Sequence, residues 1–433
     1  MGLFFTLVYL LYMYVSPASW IPWLSTITVQ PFVAGLASAF TLPRFLTRTP
    51  FKVSPQLVLF LLFSAYLAIS PALHGWFGGV FESLPGGVVA ALLLFLVPLN
   101  CDTSARRKIV AIAFMCAMLG LVIPGIRDYH VAPEQSKFVL GPNFEEEGEA
   151  ADANVEAPPV LYRLKAQGLV DDPNDFAQLL LVIISLSFLW WGRSWLRNVL
   201  FVLLPGAILA YGVFLTHSRG ALVAIAVMIA VVFRRKLKWV GSFAIAGLVA
   251  FALLASNFTG GREVSTAGGE DRLDLWSEGW QLLKQSPLIG YGWGGYVDAV
   301  NMTAHNSFLL VAVDTGVIGL TLWVSVFVIS YAQINRIVTP SDGTPPDPVL
   351  RRHALCLEGA ITAFLATSWF LSRAYHPLSF LLVGLLGGLA CQESIRRPDA
   401  VLTPPMESCL IRSVAASVAA LIMIYVMVRL RGT

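Results

Sequence analysis

Three side chains in this 433-residue sequence have types suited to acting together on an anionic substrate: Arg219, Arg272 and His305. A guanidinium presents a planar fork of donors that matches two phosphate oxygens, and it stays charged at any working pH. An imidazole, with an ordinary pKa near 6.5, can take a proton from a hydroxyl at neutral pH. Two fixed cations beside a titratable base suit a reaction in which a phosphate-type group leaves and an alcohol attacks. Their neighbours fit the same chemistry. Ser218 precedes Arg219, Asn306 follows His305, and Gly290, Gly292, Gly294 and Gly295 lie among aromatic residues, where Gly292 could let backbone amides approach phosphate oxygens. Singly, each feature reads as well as a helix cap, a snorkelling arginine or an interfacial turn. Only the set points to chemistry.

These residues belong to a chain written for lipid. Hydrophobic residues make up 57% and charged ones 13%, against about 25% charged in a soluble domain, and the mean hydropathy is +0.72. The apolar residues form about thirteen blocks: 3–15, 26–42, 56–73, 86–99, 109–124, 176–192, 199–216, 220–233, 239–255, 306–332, 355–371, 377–391 and 410–428. The expected fold is all-α, a polytopic membrane bundle of about 12–13 transmembrane helices with two long periplasmic loops. Five stretches follow: N-terminal transmembrane helices over 1–124, an acidic loop over 125–175, central helices over 176–255, a catalytic loop over 256–305, and C-terminal helices over 306–433.

Orientation follows from the basic residues, which are retained in cytoplasmic loops. Every second connection is basic: Arg44, Arg48 and Lys52; Arg106, Arg107 and Lys108; Arg193 and Arg197; Arg234, Arg235, Lys236 and Lys238; Arg336, Arg351 and Arg352; Arg396 and Arg397. The intervening short connections hold only Arg219 and Arg373. This predicts a cytoplasmic N-terminus, with Arg219, Arg272 and His305 meeting on the outer side. The first block lacks a basic leader and a small-residue cleavage site, so it reads as a retained helix. The formal charge of +3 is scattered over separate loops, which argues against a nucleic-acid partner. The five cysteines show no disulfide or zinc spacing, and the carboxylates form no compact metal cluster.

The long loops differ from each other. The first carries Glu145, Glu146, Glu147, Glu149, Asp152 and Glu156, a solvated acidic run, then Asp171, Asp172, Pro173, Asn174 and Asp175, a set suited to capping a helix. The second places Arg272 in Glu270–Trp276, where the alternation of polar and apolar residues predicts an amphipathic helix at the membrane interface.

Thr216 to Leu222, Arg272 to Trp276, Pro287 to Gly295, and His305-Asn306 through Asp314 to Gly319, together with Asp172 to Ala177, resemble the O-antigen ligase and polymerase superfamily over roughly 170–330. The resemblance implies an integral-membrane, metal-independent, inverting glycosyltransferase of the bacterial inner membrane that needs no cofactor. Its donor would be a glycan on undecaprenyl pyrophosphate, and its acceptor a hydroxyl of lipid A core, of a polysaccharide or of a protein. By similarity Arg219 and Arg272 bind the pyrophosphate, with Ser218, Gly292 and Asn306 lining the site, and His305 is the general base at the periplasmic face. Two positions depart from the family pattern: Phe308 stands where Tyr is usual and Asp314 where Glu is common. A polymerase of the same superfamily uses the same chemistry. A flippase for lipid-linked sugar is the reading from another class, although the repeated halves common in transporters are not evident here.

Overall fold

The thirteen apolar blocks become twelve helices in the computed structural model, which describes residues 1–47, 53–141, 161–260 and 267–431. In chain order they are α1 (Gly2–Val15), α2 (Val29–Thr47), α3 (Pro55–Leu73), α4 (Phe77–Asn100), α5 (Ser104–Val131), α6 (Pro173–Ser187), α7 (Trp195–Leu215) and α8 (Arg219–Ala255). Two helices of the second long loop follow, α9 (Ala267–Gln285) and α10 (Gly295–Val300). The chain then continues through α11 (Ser307–Val338), α12 (Pro348–Ser368), α13 (Pro377–Arg396) and α14 (Met406–Arg431). A two-stranded antiparallel pair, β1 (Val139–Leu140) with β2 (Arg163–Leu164), is the strand content among the described residues. The acidic run Glu145–Glu156 lies outside the described residues.

Among the described residues nine helices are long and apolar enough to cross a bilayer. The protein is an all-α, multi-pass membrane protein. The blocks 220–233 and 239–255 share one helix, α8, whose 37 residues are interrupted at Lys238, where φ is 55° and ψ −179°. Unbroken, α8 would extend about 55 Å, well beyond a hydrocarbon core of about 30 Å. The interruption falls in the basic run Arg234–Lys238 and divides it into two stretches, each near the roughly 17–25 residues a span needs.

The chain forms two compact units, Met1–Tyr9 with Pro31–Val110 and Ser265–Thr433, and Leu10–Gln30 with Ala111–Val264. The core of the first is built around α11. Trp323 is fully buried and packs edge-on against Phe327 and Phe308, and Phe60 of α3 meets Phe327 and, at 4.4 Å, Phe380 of α13. Helices approach closely where residues are small: a Cβ on Gly388 of α13 would stand 2.6 Å from the Cys101 carbonyl oxygen, the contact that drives helix association where lipid supplies no hydrophobic force. Near the predicted inner ends Arg107 is buried, donating to His353 Nδ1 at 3.1 Å, to the Cys101 carbonyl at 2.9 Å and to Gln392 Oε1 at 2.5 Å, which ties α5, α12 and α13 together.

The second unit packs α6 on α7 and α8. Asp172 caps α6 by accepting from the amides of Asn174 at 2.7 Å and Asp175 at 3.3 Å, as the polar cluster before this block predicts.

Candidate active site

The sequence-predicted residues fall into two sets, one in each unit. In the second unit, Ser218 and Arg219 open α8, with Ser218 as N-cap accepting from the Ala221 amide at 3.3 Å. Four neighbours fix this turn. His217 sits in the left-handed region at φ 49°; its Nδ1 donates to the Phe258 carbonyl at 2.9 Å, and its Nε2 meets the Tyr129 hydroxyl at 3.0 Å. Arg163 of β2 donates to the Thr216 carbonyl at 3.0 Å and to Asn174 Oδ1 at 3.1 Å, and the same Asn174 oxygen accepts from the Ser218 hydroxyl at 2.7 Å. A non-glycine residue in this backbone region costs about 1–3 kcal/mol and persists only where its surroundings overdetermine it. The result is a rigid helix start that presents Arg219 as its first residue, at the end where the helix dipole favours an anion.

The first unit repeats that geometry at α11. His305 has φ 47°, again left-handed, and the next residue is again the N-cap: Asn306 Oδ1 accepts from the Leu309 amide at 3.0 Å. Ser307 secures the turn from the other side, donating to the Leu371 carbonyl at 2.6 Å and accepting from the Arg373 amide at 2.8 Å. Asn306 is fully buried and its Nδ2 has no partner. Such a donor costs about 1–3 kcal/mol.

Arg272 lies on α9, an amphipathic helix as predicted, and the structure brings this helix to the His305 turn. Trp276, one turn beyond Arg272 on the same face, donates its indole N–H to the Ala304 carbonyl at 2.9 Å, immediately before His305. Its ring packs edge-on against Trp369. The Tyr296 hydroxyl donates to the Leu275 carbonyl at 2.6 Å. Gly279 lets these surfaces close, since a Cβ there would stand 2.7 Å from the Tyr296 ring and 3.0 Å from Leu309.

The glycine loop is used by the protein itself. Gly316, at φ 65° and ψ −175°, interrupts α11, and the loop fills the break. The Tyr291 amide donates to the Val313 carbonyl at 2.9 Å and the Gly292 amide to the Asp314 carbonyl at 2.8 Å, while the Val317 amide donates back to Pro287 at 2.8 Å. The Trp293 amide donates to Ser70 Oγ at 2.8 Å. Glycine is required on both sides of the contact: a Cβ on Gly290 would stand 2.4 Å from the Val313 oxygen, and one on Gly316 would stand 2.0 Å from the Leu288 oxygen.

Asp314, 1% exposed, is the hub of this arrangement. Its carboxylate accepts from the Tyr296 amide at 3.0 Å, from the Gly294 amide and from the Tyr375 hydroxyl at 2.9 Å. Burial, and then the neighbouring Asp314 charge, hold the Tyr375 phenol well above its ordinary range. It therefore remains a hydrogen-bond donor throughout the working pH. Sequence reasoning placed Asp314 and Trp276 in family motifs and Asn174 in a capping cluster without a role in the site, and passed over Arg163 and Tyr375. The available signal was a carboxylate inside an apolar block, which demands partners.

Residues 204–324 match the family described as O-Antigen ligase. The resemblance to the O-antigen ligase and polymerase superfamily thus stands. The matched segment contains all six residues singled out from sequence: Ser218, Arg219, Arg272, Gly292, His305 and Asn306. The chain is also 29% identical over 194 residues to a protein of Rhizobium meliloti (strain 1021) named "Exopolysaccharide production protein ExoQ", a match covering 39% of this chain and 42% of that relative. The chain thus spans less than half the length of that relative.

Proposed function

We propose that this protein is a membrane glycosyltransferase of the O-antigen ligase type, moving a glycan from undecaprenyl pyrophosphate to an acceptor hydroxyl at the periplasmic face of the inner membrane. The observation that carries this reading is the tie between α9 and the His305 turn, through Trp276 and Ala304, within the family-matched segment. By that tie the arginine-bearing α9 meets the turn before α11, which carries His305 and the buried, unpartnered Asn306 amide donor, and this supports the reading.

In the proposed reaction His305 takes the proton of the acceptor hydroxyl as its oxygen attacks the anomeric carbon. The bond from that carbon to the pyrophosphate oxygen breaks, and the electron pair leaves with the lipid pyrophosphate. By this reading Arg219 and Arg272 hold the developing charge with bidentate hydrogen bonds. Ser218 and Asn306, both buried as N-caps, hold the turns that carry Arg219 and His305, and Gly292 shapes the wall. Attack opposite the leaving group inverts the anomeric centre, and the arginines take the place a divalent metal has in other transferases.

A positioned base contributes roughly 10²–10⁴ in rate. His305→Ala, reconstituted at equal protein level with lipid-linked donor and acceptor, should therefore turn over at least about 100-fold more slowly with little change in donor binding. Undiminished turnover removes the role from His305. The name of the Rhizobium relative favours a second reading, chain extension in polysaccharide production by the same chemistry. Product length separates the two: a ligase attaches a preformed glycan once, whereas a polymerase yields a ladder.

A further inference from the structure

A cavity of about 690 Å³ runs along the first unit between α3, α11 and α14, from Val317 and Leu421 at one end to Ile329 and Met406 at the other. Along α11 this is a rise of about 18 Å, more than half of a hydrocarbon core. The hydroxyls on its walls are satisfied within their own helices. Thr321 donates to the Val317 carbonyl at 2.7 Å, Ser325 to Thr321 at 2.7 Å and Ser417 to Ser413 at 2.9 Å. What remains is a largely apolar surface, built mainly from Leu, Ile, Val and Met side chains of α11 and α14.

The two ends differ. Val317 and Ile318 lie directly after the Gly316 break, and their amides hold the carbonyls of Pro287 and Leu288. The helix carrying Arg272 packs on both α11 and α14 there, with Trp280 tilted on Tyr425 at 5.3 Å. Arg272, Trp276 and Trp280 follow at intervals of four along one face of α9. Glu407 lines the opposite end, at the start of α14. One end thus lies beneath the arginine helix and the other carries a carboxylate, which would repel a diphosphate. The groove suits an amphiphile in one direction only, with the anionic head under α9 and the hydrocarbon tail toward Glu407.

We propose that this groove seats the isoprenoid chain of the polyisoprenyl diphosphate donor, with α14 as one of its walls. The inference rests on the reading of the protein as a transferase using a lipid-linked donor, and it assigns a substrate-binding role to a helix outside the family-matched segment. Burying a methyl-branched chain there holds the diphosphate end beside the helix that carries Arg272.

The test uses the full chain in liposomes of phosphatidylethanolamine and phosphatidylglycerol with a diazirine-bearing polyisoprenyl diphosphate. After irradiation, peptides around Thr321–Ser325 or Ser417–Leu421 should carry the label. Excess undecaprenyl diphosphate should displace it, whereas added phospholipid should not. Ser417→Phe, and independently Ser325→Leu, should each lower labelling by about tenfold, the change expected from about two lost methylenes of burial. Ile422→Phe on the exposed face of α14 should leave labelling unchanged. Label outside the groove, equal displacement by phospholipid, or indifference to both filling variants would overturn the assignment. Glycan transfer is measured alongside: labelled groove without transfer preserves the groove and sinks the transferase reading, while transfer with label elsewhere does the reverse.

Discussion

The two histidines at helix starts show how one local geometry serves two ends. His217 and His305 each hold a left-handed backbone just before an N-cap, yet both ring nitrogens of His217 face the protein, at Phe258 and Tyr129. His217 therefore braces the turn that presents Arg219, and the base proposed above is His305. The role proposed for Arg219 depends on its fork more than on its charge, so Arg219→Lys should lose at least about tenfold in kcat/KM, since an ammonium cannot grip two oxygens in one plane. Wild-type kinetics in the lysine variant would reduce Arg219 to charge placement. Asp314 yields a stability ranking. Asp314→Ala strands the donors of Tyr296, Gly294 and Tyr375, each worth about 1–3 kcal/mol when buried and unpaired, whereas Tyr375→Phe removes a single bond to the carboxylate. Thermal unfolding in detergent should place the alanine variant well below the phenylalanine one. Equal midpoints would mean that the carboxylate holds nothing in place.

Helices were legible wherever hydropathy marks them, because lipid requires every backbone group to be bonded within its own segment. All thirteen blocks lie on helices, the Asp172 cap stands where its polar cluster put it, and α9 forms around Arg272. The interruption of α8 at Lys238 was legible, since it falls in the basic connection between the blocks 220–233 and 239–255, whereas that of α11 at Gly316 was not. The Gly316 break leaves the hydropathy of its block unchanged and is filled by a loop more than twenty residues away in sequence, through backbone atoms that leave no side-chain pattern. The glycine loop was read from sequence as a source of amides for phosphate, but its amides at Tyr291, Gly292 and Trp293 are engaged by Val313, Asp314 and Ser70. If that loop splints α11, Gly316→Ala should fold poorly: φ is 65° and the new Cβ would meet the Leu288 oxygen at 2.0 Å. Gly206→Ala in α7, where a Cβ meets nothing within 4 Å, should instead be neutral or gain about 0.5–1 kcal/mol. Monodisperse protein recovered after solubilisation measures both, and equal recovery would show that the loop and helix part without cost.

Orientation governs whether any of this chemistry reaches its substrate, because a lipid-linked glycan exposed at the outer leaflet can be used only from that side. Electrostatics sets the orientation: Arg336 closes α11, Arg351 and Arg352 open α12, and Arg396 and Arg397 end α13, where Arg397 pairs with Asp342 and Glu393. That collects positive charge at the end of α11 opposite His305. From the Gly316 break to Val338 the helix still rises about 33 Å, enough to put its two ends on opposite sides of the hydrocarbon. A cysteine-free protein carrying either Gln135→Cys, between β1 and the end of α5, or Ser341→Cys, just beyond α11, separates the alternatives. In intact spheroplasts a membrane-impermeant maleimide should label position 135 and spare position 341 until the membrane is opened. The reverse pattern would put the His305 turn on the cytoplasmic side, where a base and its arginine helix could meet only donors that have not yet been flipped, and transfer at the outer leaflet would be excluded.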